Sequence, residues 1–142
     1  MRIIAGKHRG RALIAPSGRE VRPTSSRARE SLFNILAHSG LSEDGASPII
    51  GARVLDAFAG TGALGLEALS RGAGNCIFVE QDRAAIDALR ANAAKLGLER
   101  PDIRATSVLA LGPAVAPLDL LLMDPPYGTG AGTLALDRLG RL

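Results

Sequence analysis

The chain has one cysteine, two histidines and no long apolar run, and each scarcity excludes a class of protein. Cys76 alone can form neither an internal disulfide nor a cysteine metal site. His8 and His38 are far apart in sequence and do not indicate a shared metal. No stretch approaches the roughly 18–20 apolar residues of a membrane span, and the N-terminus lacks the apolar core of a secretory signal. We therefore expect a cytoplasmic protein without a metal.

The composition that remains is that of a globular domain with an uneven charge. Hydrophobic residues make up 46% of the 142 residues and charged residues 22%, which allows one domain with a buried core. Residues 1–30 carry eight basic and two acidic side chains, a net +6, whereas the remainder has a net −3. A basic segment on a mildly acidic body suits a phosphate-rich partner. A solvated tail explains the same charge equally well.

The first fifty residues predict a hairpin, a loop and a helix. Ile3–Ala5 and Arg11–Ile14 are short strand candidates around a glycine-flanked turn. A loop then leads to a helix that Ser25 or Ser26 can cap. Apolar residues of that helix recur at i, i+4, i+7 and i+8, which indicates one buried face. The residues of this predicted face are Ala28, Leu32, Ile35 and Leu36.

From residue 51 onward, strands and helices alternate. The predicted strands are Arg53–Ala57, Asn75–Glu80, Ile103–Ser107 and Leu118–Met123, and the predicted helices are Gly62–Arg71 and Ala84–Lys95. The last strand is apolar except for Asp119, which is typical of a buried parallel strand. This alternation predicts an α/β protein with a doubly wound parallel sheet. We divide the chain into an N-terminal hairpin and helix (1–50) and a core domain (51–142).

A glycine-rich turn follows the first strand of the core. The pattern G-x-G-x-x-G is formed by Gly60, Gly62 and Gly65. Glu80 follows 20 residues after the first glycine, where an acidic group can hold ribose hydroxyls. A dinucleotide is one interpretation of this pattern. Asp56 favours S-adenosylmethionine instead, because a carboxylate repels a pyrophosphate and attracts the ammonium of a methionine moiety. Ser107, at the end of the third strand, can hydrogen-bond an adenine, although an ordinary strand end is equally consistent.

The sequence Asp124-Pro125-Pro126-Tyr127 follows the last strand, at the same carboxyl edge of the sheet. An exocyclic base amine is a poor nucleophile, because its lone pair is delocalised into the ring. Hydrogen-bond acceptors aimed at its N–H groups favour the pyramidal nitrogen that attacks. The Asp124 carboxylate and the Pro125 carbonyl can supply two acceptors, and Tyr127 can stack on a base turned out of its helix. A plain proline turn is the alternative.

These motifs together resemble a known family. The turn Asp-x-Phe-x-Gly-x-Gly with Asp-Pro-Pro-Tyr is similar to the amino-methylating Rossmann-like methyltransferases. The segments Arg2–Arg11, Arg22–Thr24 and Arg27–Leu36 resemble the bacterial RsmD type, the guanine-N2 methyltransferases of small-subunit (16S) rRNA. The resemblance implies S-adenosylmethionine as cofactor and small-subunit rRNA, within an assembling subunit, as partner. We expect a monomer.

The resemblance also implies where the site residues lie. The expected cofactor residues are Asp56, Phe58, Gly60, Gly62, Glu80 and Ser107, and the expected catalytic residues are Asp124, Pro125 and Tyr127. The residues expected to contact RNA are Lys7, His8, Arg9, Arg11, Arg22 and Arg27. Ser107 departs from the acidic or amide residue of many relatives. The family fold also continues with a further helix and strands beyond Leu142, so we expect uncovered apolar surface on the last strand.

Three alternatives remain at this point. An adenine-N6 methyltransferase acting on DNA or RNA would use the same Asp-Pro-Pro-Tyr loop, although the N-terminal segments disfavour it. A catalytically silent RNA-binding fragment would need only the basic arm. A dehydrogenase would account for the glycine pattern alone.

Overall fold

The computed structural model of the chain describes residues 1–15, 26–40, 45–126 and 128–141. Its strands are β1 (Arg53–Asp56), β2 (Asn75–Glu80), β3 (Asp102–Ala105) and β4 (Leu120–Leu122). Its helices are α1 (Ser26–Ala37), α2 (Ala63–Ser70), α3 (Arg83–Lys95) and α4 (Ala131–Gly140), with a 3-10 turn at Val108–Ala110. No helix within these ranges is long and apolar enough to cross a membrane.

The four strands form one parallel sheet in the order β3-β2-β1-β4. Successive strand residues point to opposite faces, and each face is covered. One apolar layer includes residues of α2 and α3 together with Val54, Cys76 and Phe78. The other includes residues of the 3-10 turn and α4 together with Leu55, Ile77 and Val79. The predicted doubly wound α/β sheet is confirmed.

The strand order reverses at β1. Strands β2 and β3 extend the sheet on one side of β1, and β4 lies on the other side, with Asp56 in register with Leu122. In open parallel sheets, ligands bind in the crevice at the carboxyl ends of the strands where the order reverses. The loops that follow β1 and β4 therefore border the place where a ligand is expected.

Strand β4 is shorter and less buried than its apolar sequence predicts. The prediction covered Leu118–Met123, whereas the strand comprises only Leu120–Leu122, and Leu121 is 37% exposed. Among the described strands, β4 pairs with β1 alone and so forms an edge. An apolar run indicates a strand, but it does not distinguish an edge strand from a central one. The prediction of a buried strand was wrong at Leu121, whose exposure agrees instead with the uncovered apolar surface expected on this strand.

The N-terminal hairpin, residues 1–14, folds back on itself around a turn at Gly6–Gly10. Hydrogen bonds join its two arms, but only one isolated antiparallel bridge forms in place of the two predicted strands. The cause is a competing acceptor. The amides of Ile4 and Ala5 donate to the buried Glu67 carboxylate on α2, at 2.8 and 3.1 Å, and so leave the strand pairing.

Two further buried polar side chains hold the hairpin on the helices behind it. Ser70, near the end of α2, donates to the Ala5 carbonyl at 2.7 Å and accepts from the His8 amide at 2.9 Å. Asn92, on α3, bonds both backbone groups of Ile14 at 2.7 and 3.0 Å. These bonds reach backbone groups of the hairpin, and the buried Ile3 and Leu13 side chains add apolar contacts with the core.

Helix α1 turns a different face inward from the one its sequence predicts. Arg29 and Phe33 are its buried residues, whereas Ile35, expected inside, is 69% exposed. The Arg29 guanidinium donates to the Arg2 carbonyl at 2.8 Å, and the Phe33 ring lies 4.9 Å from the guanidinium carbon of Arg71. These contacts rotate the helix about its axis, so that the buried residues are one position after the predicted ones. The predicted face is wrong at three positions, which are Ala28, Leu32 and Ile35.

Some predictions concern residues outside the described ranges. These are the loop before α1, with Ser25, and part of the loop before β1. The sequence predicts that second loop over Gly40–Gly51, because serine, aspartate, glycine and proline are frequent there, and its described residues, Gly40 and 45–51, are irregular.

Gly6 and Gly10 form a matched pair for testing the docking of the hairpin. Both have a positive φ, of 87° and 82°, so an alanine at either position costs about 1–2 kcal/mol of backbone strain. A Cβ at Gly6 would also overlap the Ser70 carbonyl, whereas at Gly10 it would meet nothing within 4 Å. Gly6→Ala should lower the free energy of unfolding in urea clearly more than Gly10→Ala. Equal losses would show that the hairpin is not docked on α2 in solution.

Candidate cofactor and catalytic site

The turn between β1 and α2 is held by backbone contacts on several sides. Gly60 and Gly62 have φ of 55° and 90°, a region that glycine adopts at little cost. The Gly62 amide donates to the Ala59 carbonyl at 2.8 Å, and the Ala59 amide donates to Val79 of β2 at 3.0 Å. Gly62 immediately precedes α2, so the amino end of that helix opens at the turn.

Gly65 brings α2 against the sheet. A Cβ at this position would overlap the Phe78 ring and lie 2.7 Å from the Cys76 sulfur. The third glycine of the pattern is therefore required for helix–sheet packing, a role glycine has in other nucleotide-binding turns. Cys76 is buried in this contact, as a core residue.

Asp56 is fully buried at the end of β1, and only one of its oxygens has a partner. Oδ2 accepts from the Gly65 amide at 3.0 Å, whereas Oδ1 has no hydrogen-bond partner among the described residues. Burial, together with the charges of Asp124 and Glu80, raises the pKa of Asp56 to about 7. An unsatisfied buried oxygen is costly, and a cationic ligand would remove that cost. This feature fits an ammonium group, such as the one that S-adenosylmethionine carries.

Glu80, at the end of β2, holds the glycine turn through its carboxylate. Oε1 accepts from the Gly60 amide at 2.9 Å, and Oε2 accepts from the amides of Gln81 and Asp82 at 3.0 and 2.8 Å. A carboxylate has about four acceptor positions, so three amides leave capacity for one ribose hydroxyl. The predicted ribose contact is compatible with this second role, which the sequence did not indicate.

Phe58 and Ser107 lie at the same carboxyl edge. Phe58 is half-buried and packs against the apolar layer that contains Leu55. Strand β3 ends before Ser107, whose hydroxyl accepts from the Leu109 amide at 3.2 Å and caps the 3-10 turn. Ser107 therefore has a local structural partner in addition to its predicted adenine contact.

The predicted catalytic loop follows β4 directly and borders the same crevice. Asp124 is near enough to Asp56 for its charge to raise the pKa of Asp56. Asp124 and Pro125 are half-buried, and Tyr127 lies outside the described residues. The structure thus brings together Asp56, at the end of β1, and Asp124, just after the neighbouring strand β4.

Helix α4 braces the proline loop from behind. The Pro126 carbonyl accepts from the Thr129 hydroxyl at 3.1 Å, and the same hydroxyl accepts from the Ala131 amide at 3.2 Å. A Cβ on Gly132 would lie 2.9 Å from Cγ of Pro125, so that glycine allows the helix to pack on the proline ring. Because the Pro126 carbonyl is engaged by Thr129, Pro125 is the better candidate for a substrate acceptor.

The basic residues expected to contact RNA have unequal surroundings. The exposed ones are Lys7, Arg9, Arg11 and Arg27. Arg11 donates to the Lys95 carbonyl at 2.6 Å and so satisfies the end of α3. His8 is half-buried, and burial and its cationic neighbours lower its pKa. Arg22 lies outside the described residues.

Sequence reasoning missed Asn92, which contacts the turn directly. Its fully buried amide donates to the Thr61 carbonyl at 2.9 Å. A signal was available, because Asn92 follows Ala85 and Leu89 on the buried side of α3. A polar residue at an apolar helix position indicates buried hydrogen bonds.

The fold is that of the Rossmann-like methyltransferases. Magnesium protoporphyrin IX methyltransferase from Synechocystis, solved with bound S-adenosylmethionine, matches with a TM-score of 0.63 over 82% of this chain and 53% of its own. At 17% identity that likeness concerns the fold alone. A family model described as Conserved hypothetical protein 95 matches residues 1–141, and the chain belongs to that family.

Curated and solved relatives agree with this assignment. Ribosomal RNA small subunit methyltransferase D of Escherichia coli is 40% identical over 92% of this chain, and that of Haemophilus influenzae is 37% identical over 89%. The chain spans 62% and 64% of these two relatives. A hypothetical protein of Thermus thermophilus matches with a TM-score of 0.76 and 32% identity, over 97% of this chain and 78% of its own.

The raised pKa of Asp56 predicts how stability depends on pH. The folded state binds this proton more tightly than the unfolded chain, so the resulting stability is fully present below the ordinary carboxyl pKa of about 4 and is lost as the pH rises from there through about 7. The free energy of unfolding of Asp56→Asn should therefore rise relative to that of the unaltered chain between pH 5 and pH 8. Urea titrations at both pH values measure this.

Asp137 provides the control for this prediction, because it is an exposed carboxylate paired with Arg141 at the surface. Asp137→Asn should not alter the pH dependence. If Asp56→Asn and the unaltered chain lose stability in parallel between pH 5 and 8, Asp56 does not titrate in this range.

Proposed function

We propose that this chain carries the cofactor site and catalytic loop of an S-adenosylmethionine-dependent methyltransferase that modifies the exocyclic N2 of a guanine in small-subunit rRNA. The half-satisfied, buried Asp56 carboxylate at the switch in strand order carries this proposal. It offers an acceptor to a cation beside the loop that holds Asp124. The names of the curated relatives support ribosomal RNA as the substrate.

The cofactor would be held by groups from three strand ends. Asp56 would accept from the ammonium, Glu80 from a ribose hydroxyl, and Ser107 would contact the adenine. The positive φ of Gly60 and Gly62 allows the backbone to approach the ligand closely, and Phe58 supplies apolar surface nearby. When bound, S-adenosylmethionine supplies an activated methyl group.

The catalytic loop would act on the guanine amine. The Asp124 carboxylate and the Pro125 carbonyl accept hydrogen bonds from the two N–H groups and so favour the pyramidal nitrogen, whose lone pair can attack. Such acceptors contribute most when they are already in place before the reaction. Packing of Gly132 on the Pro125 ring and the Thr129 bond to the loop supply that rigidity. Tyr127 would stack on the base.

The substrate would be held mainly through phosphates. Lys7, Arg9 and Arg27 are exposed cations in the N-terminal third, and His8, Arg11 and Arg22 extend the same basic segment. Such contacts fix the position of the RNA, while the catalytic loop selects the base. We place the reaction in the cytoplasm, on RNA in an assembling small subunit, with the protein acting as a monomer.

The identity of the modified base tests the proposal directly. The chain is incubated with isolated small subunits and S-adenosylmethionine, and the RNA is digested to nucleosides for mass spectrometry. We expect N2-methylguanosine. N6-methyladenosine would establish the adenine alternative, and cofactor binding without any methyl transfer would contradict the proposed activity.

Asp124→Ala should separate catalysis from cofactor binding. Loss of one acceptor that acts in the transition state costs about 10²–10³ in rate, whereas the dissociation constant of S-adenosylmethionine should stay near that of the unaltered chain. Single-turnover methylation and calorimetry measure the two quantities. Asp137→Ala is the matched control, because it removes an exposed carboxylate on α4. It should change neither the rate nor the dissociation constant. Near-full turnover in Asp124→Ala would remove that residue from the mechanism.

The salt dependence of RNA binding tests the basic hairpin. Each phosphate contact contributes about 0.7–0.9 to the slope of log K against log salt, so Lys7→Ala with Arg9→Ala should flatten that slope. Arg11 is left intact, because it satisfies the end of α3. Arg100→Ala, which removes an exposed cation outside the hairpin, is the control. An unchanged slope in the double variant would show that these side chains do not meet phosphates.

A further inference from the structure

One buried amide touches both the N-terminal hairpin and the glycine turn. Asn92 Oδ1 accepts from the Ile14 amide at 2.7 Å, and its Nδ2 donates to the Ile14 carbonyl at 3.0 Å. The same Nδ2 donates to the Thr61 carbonyl at 2.9 Å. Ile14 is 78 residues from Asn92 and Thr61 is 31 residues from it, so the amide joins two segments that are remote along the chain.

This amide is difficult to replace. Asn92 is fully buried and uses its oxygen and both of its N–H groups in the three bonds. Removing it would leave the buried Thr61 carbonyl without this partner, which is costly, and would release the backbone groups of Ile14, which is 45% exposed, to water. Its position on the apolar side of α3 is therefore explained by the bonds it makes and not by packing.

The contact with Thr61 matters because of where that residue lies. Thr61 stands between Gly60 and Gly62, whose positive φ angles shape the turn. Glu80 holds the Gly60 amide, Ala59 holds the Gly62 amide, and Asn92 holds the Thr61 carbonyl. Of these three contacts, only the one from Asn92 continues to the hairpin.

We infer that Asn92 is a positioning residue that couples the hairpin to the glycine turn, so that RNA phosphates on the hairpin and the nucleoside cofactor at the turn bind cooperatively. This inference rests on the proposed function. Because the hairpin and the glycine turn bind the same amide, a ligand that orders one of them also partly orders the other. The second ligand then loses less conformational entropy when it binds. Linkage is reciprocal, so RNA tightens cofactor binding by the same factor as the cofactor tightens RNA binding.

Ser70 supplies a matched control. It also holds the hairpin through backbone groups, those of Ala5 and His8. Within the described ranges, its side-chain hydrogen bonds go to the hairpin and not to the glycine turn, and it lies at the opposite end of α2 from Gly62. Ser70→Ala therefore loosens the hairpin without removing the bond to Thr61.

Calorimetry with S-adenosylhomocysteine, in the presence and absence of a small-subunit rRNA transcript, measures the coupling. In the unaltered chain RNA should lower the dissociation constant of S-adenosylhomocysteine by about fivefold or more, the lower end of common coupling factors. In Asn92→Ala this factor should fall to about one, and in Ser70→Ala it should persist. Coupling that survives in Asn92→Ala, or that is absent from the unaltered chain while both ligands bind, overturns the inference.

A second variant and a second readout separate positioning from folding. Ile14→Pro removes the amide that donates to Asn92 Oδ1 and fixes φ at that residue, while the Asn92 bonds to the carbonyls of Ile14 and Thr61 need no Ile14 amide. It should reduce the coupling factor while the affinity for S-adenosylhomocysteine without RNA stays unchanged. An undiminished coupling factor in folded Ile14→Pro, checked by circular dichroism, also contradicts the inference.

Hydrogen exchange of the ligand-free chain tests the structural link without either ligand. The Gly62 amide should exchange faster in Asn92→Ala than in Ser70→Ala. Equal exchange in the two variants counts against the role of Asn92. Failure of the unaltered chain to bind S-adenosylhomocysteine at all would contradict the proposed function, and the coupling with it, and is distinguished from loss of coupling alone.

Discussion

The close contact between α2 and the sheet at Gly65 is the constraint on which the rest of the structure depends. Because Gly65 has no side chain, its amide reaches the buried Asp56 carboxylate at 3.0 Å and the helix packs directly on β2. The amino end of α2 is thereby placed at the glycine turn. Its other end presents Glu67 and Ser70 to the N-terminal hairpin. One helix therefore positions both the candidate cofactor site and the basic segment.

The sequence was most informative where burial alone determines the structure. The bounds of β2 agree with its apolar run, and the parallel order follows from the alternation of strands and helices. It was least informative where a distant polar group decides between options. Nothing near Ile4 or Ile35 indicates that Glu67 takes the hairpin amides or that α1 turns Arg29 inward. These outcomes depend on contacts between remote residues, which periodicity does not contain.

The same limit applies to the candidate site. Asp56, Glu80 and Asp124 were recognised from motif spacing, and the structure brings them to one edge of the sheet. Charge counting, by contrast, treats the basic residues of the first third alike. In the structure Arg29 is buried and Arg11 satisfies the end of α3, while Arg9 remains at the surface. Part of the positive charge therefore also stabilises the fold.

The reactivity of the Cys76 thiol reports on the contact between α2 and the sheet at Gly65. This thiol is the only one in the chain, and burial together with the Asp56 charge raises its pKa, so the folded protein should hardly react with a thiol reagent. Its sulfur lies in the contact between β2 and Gly65 of α2, so separation of α2 from β2 would expose it. The rate at which this native thiol reacts with a reagent therefore measures how often α2 separates from β2. The measurement needs no introduced reporter group.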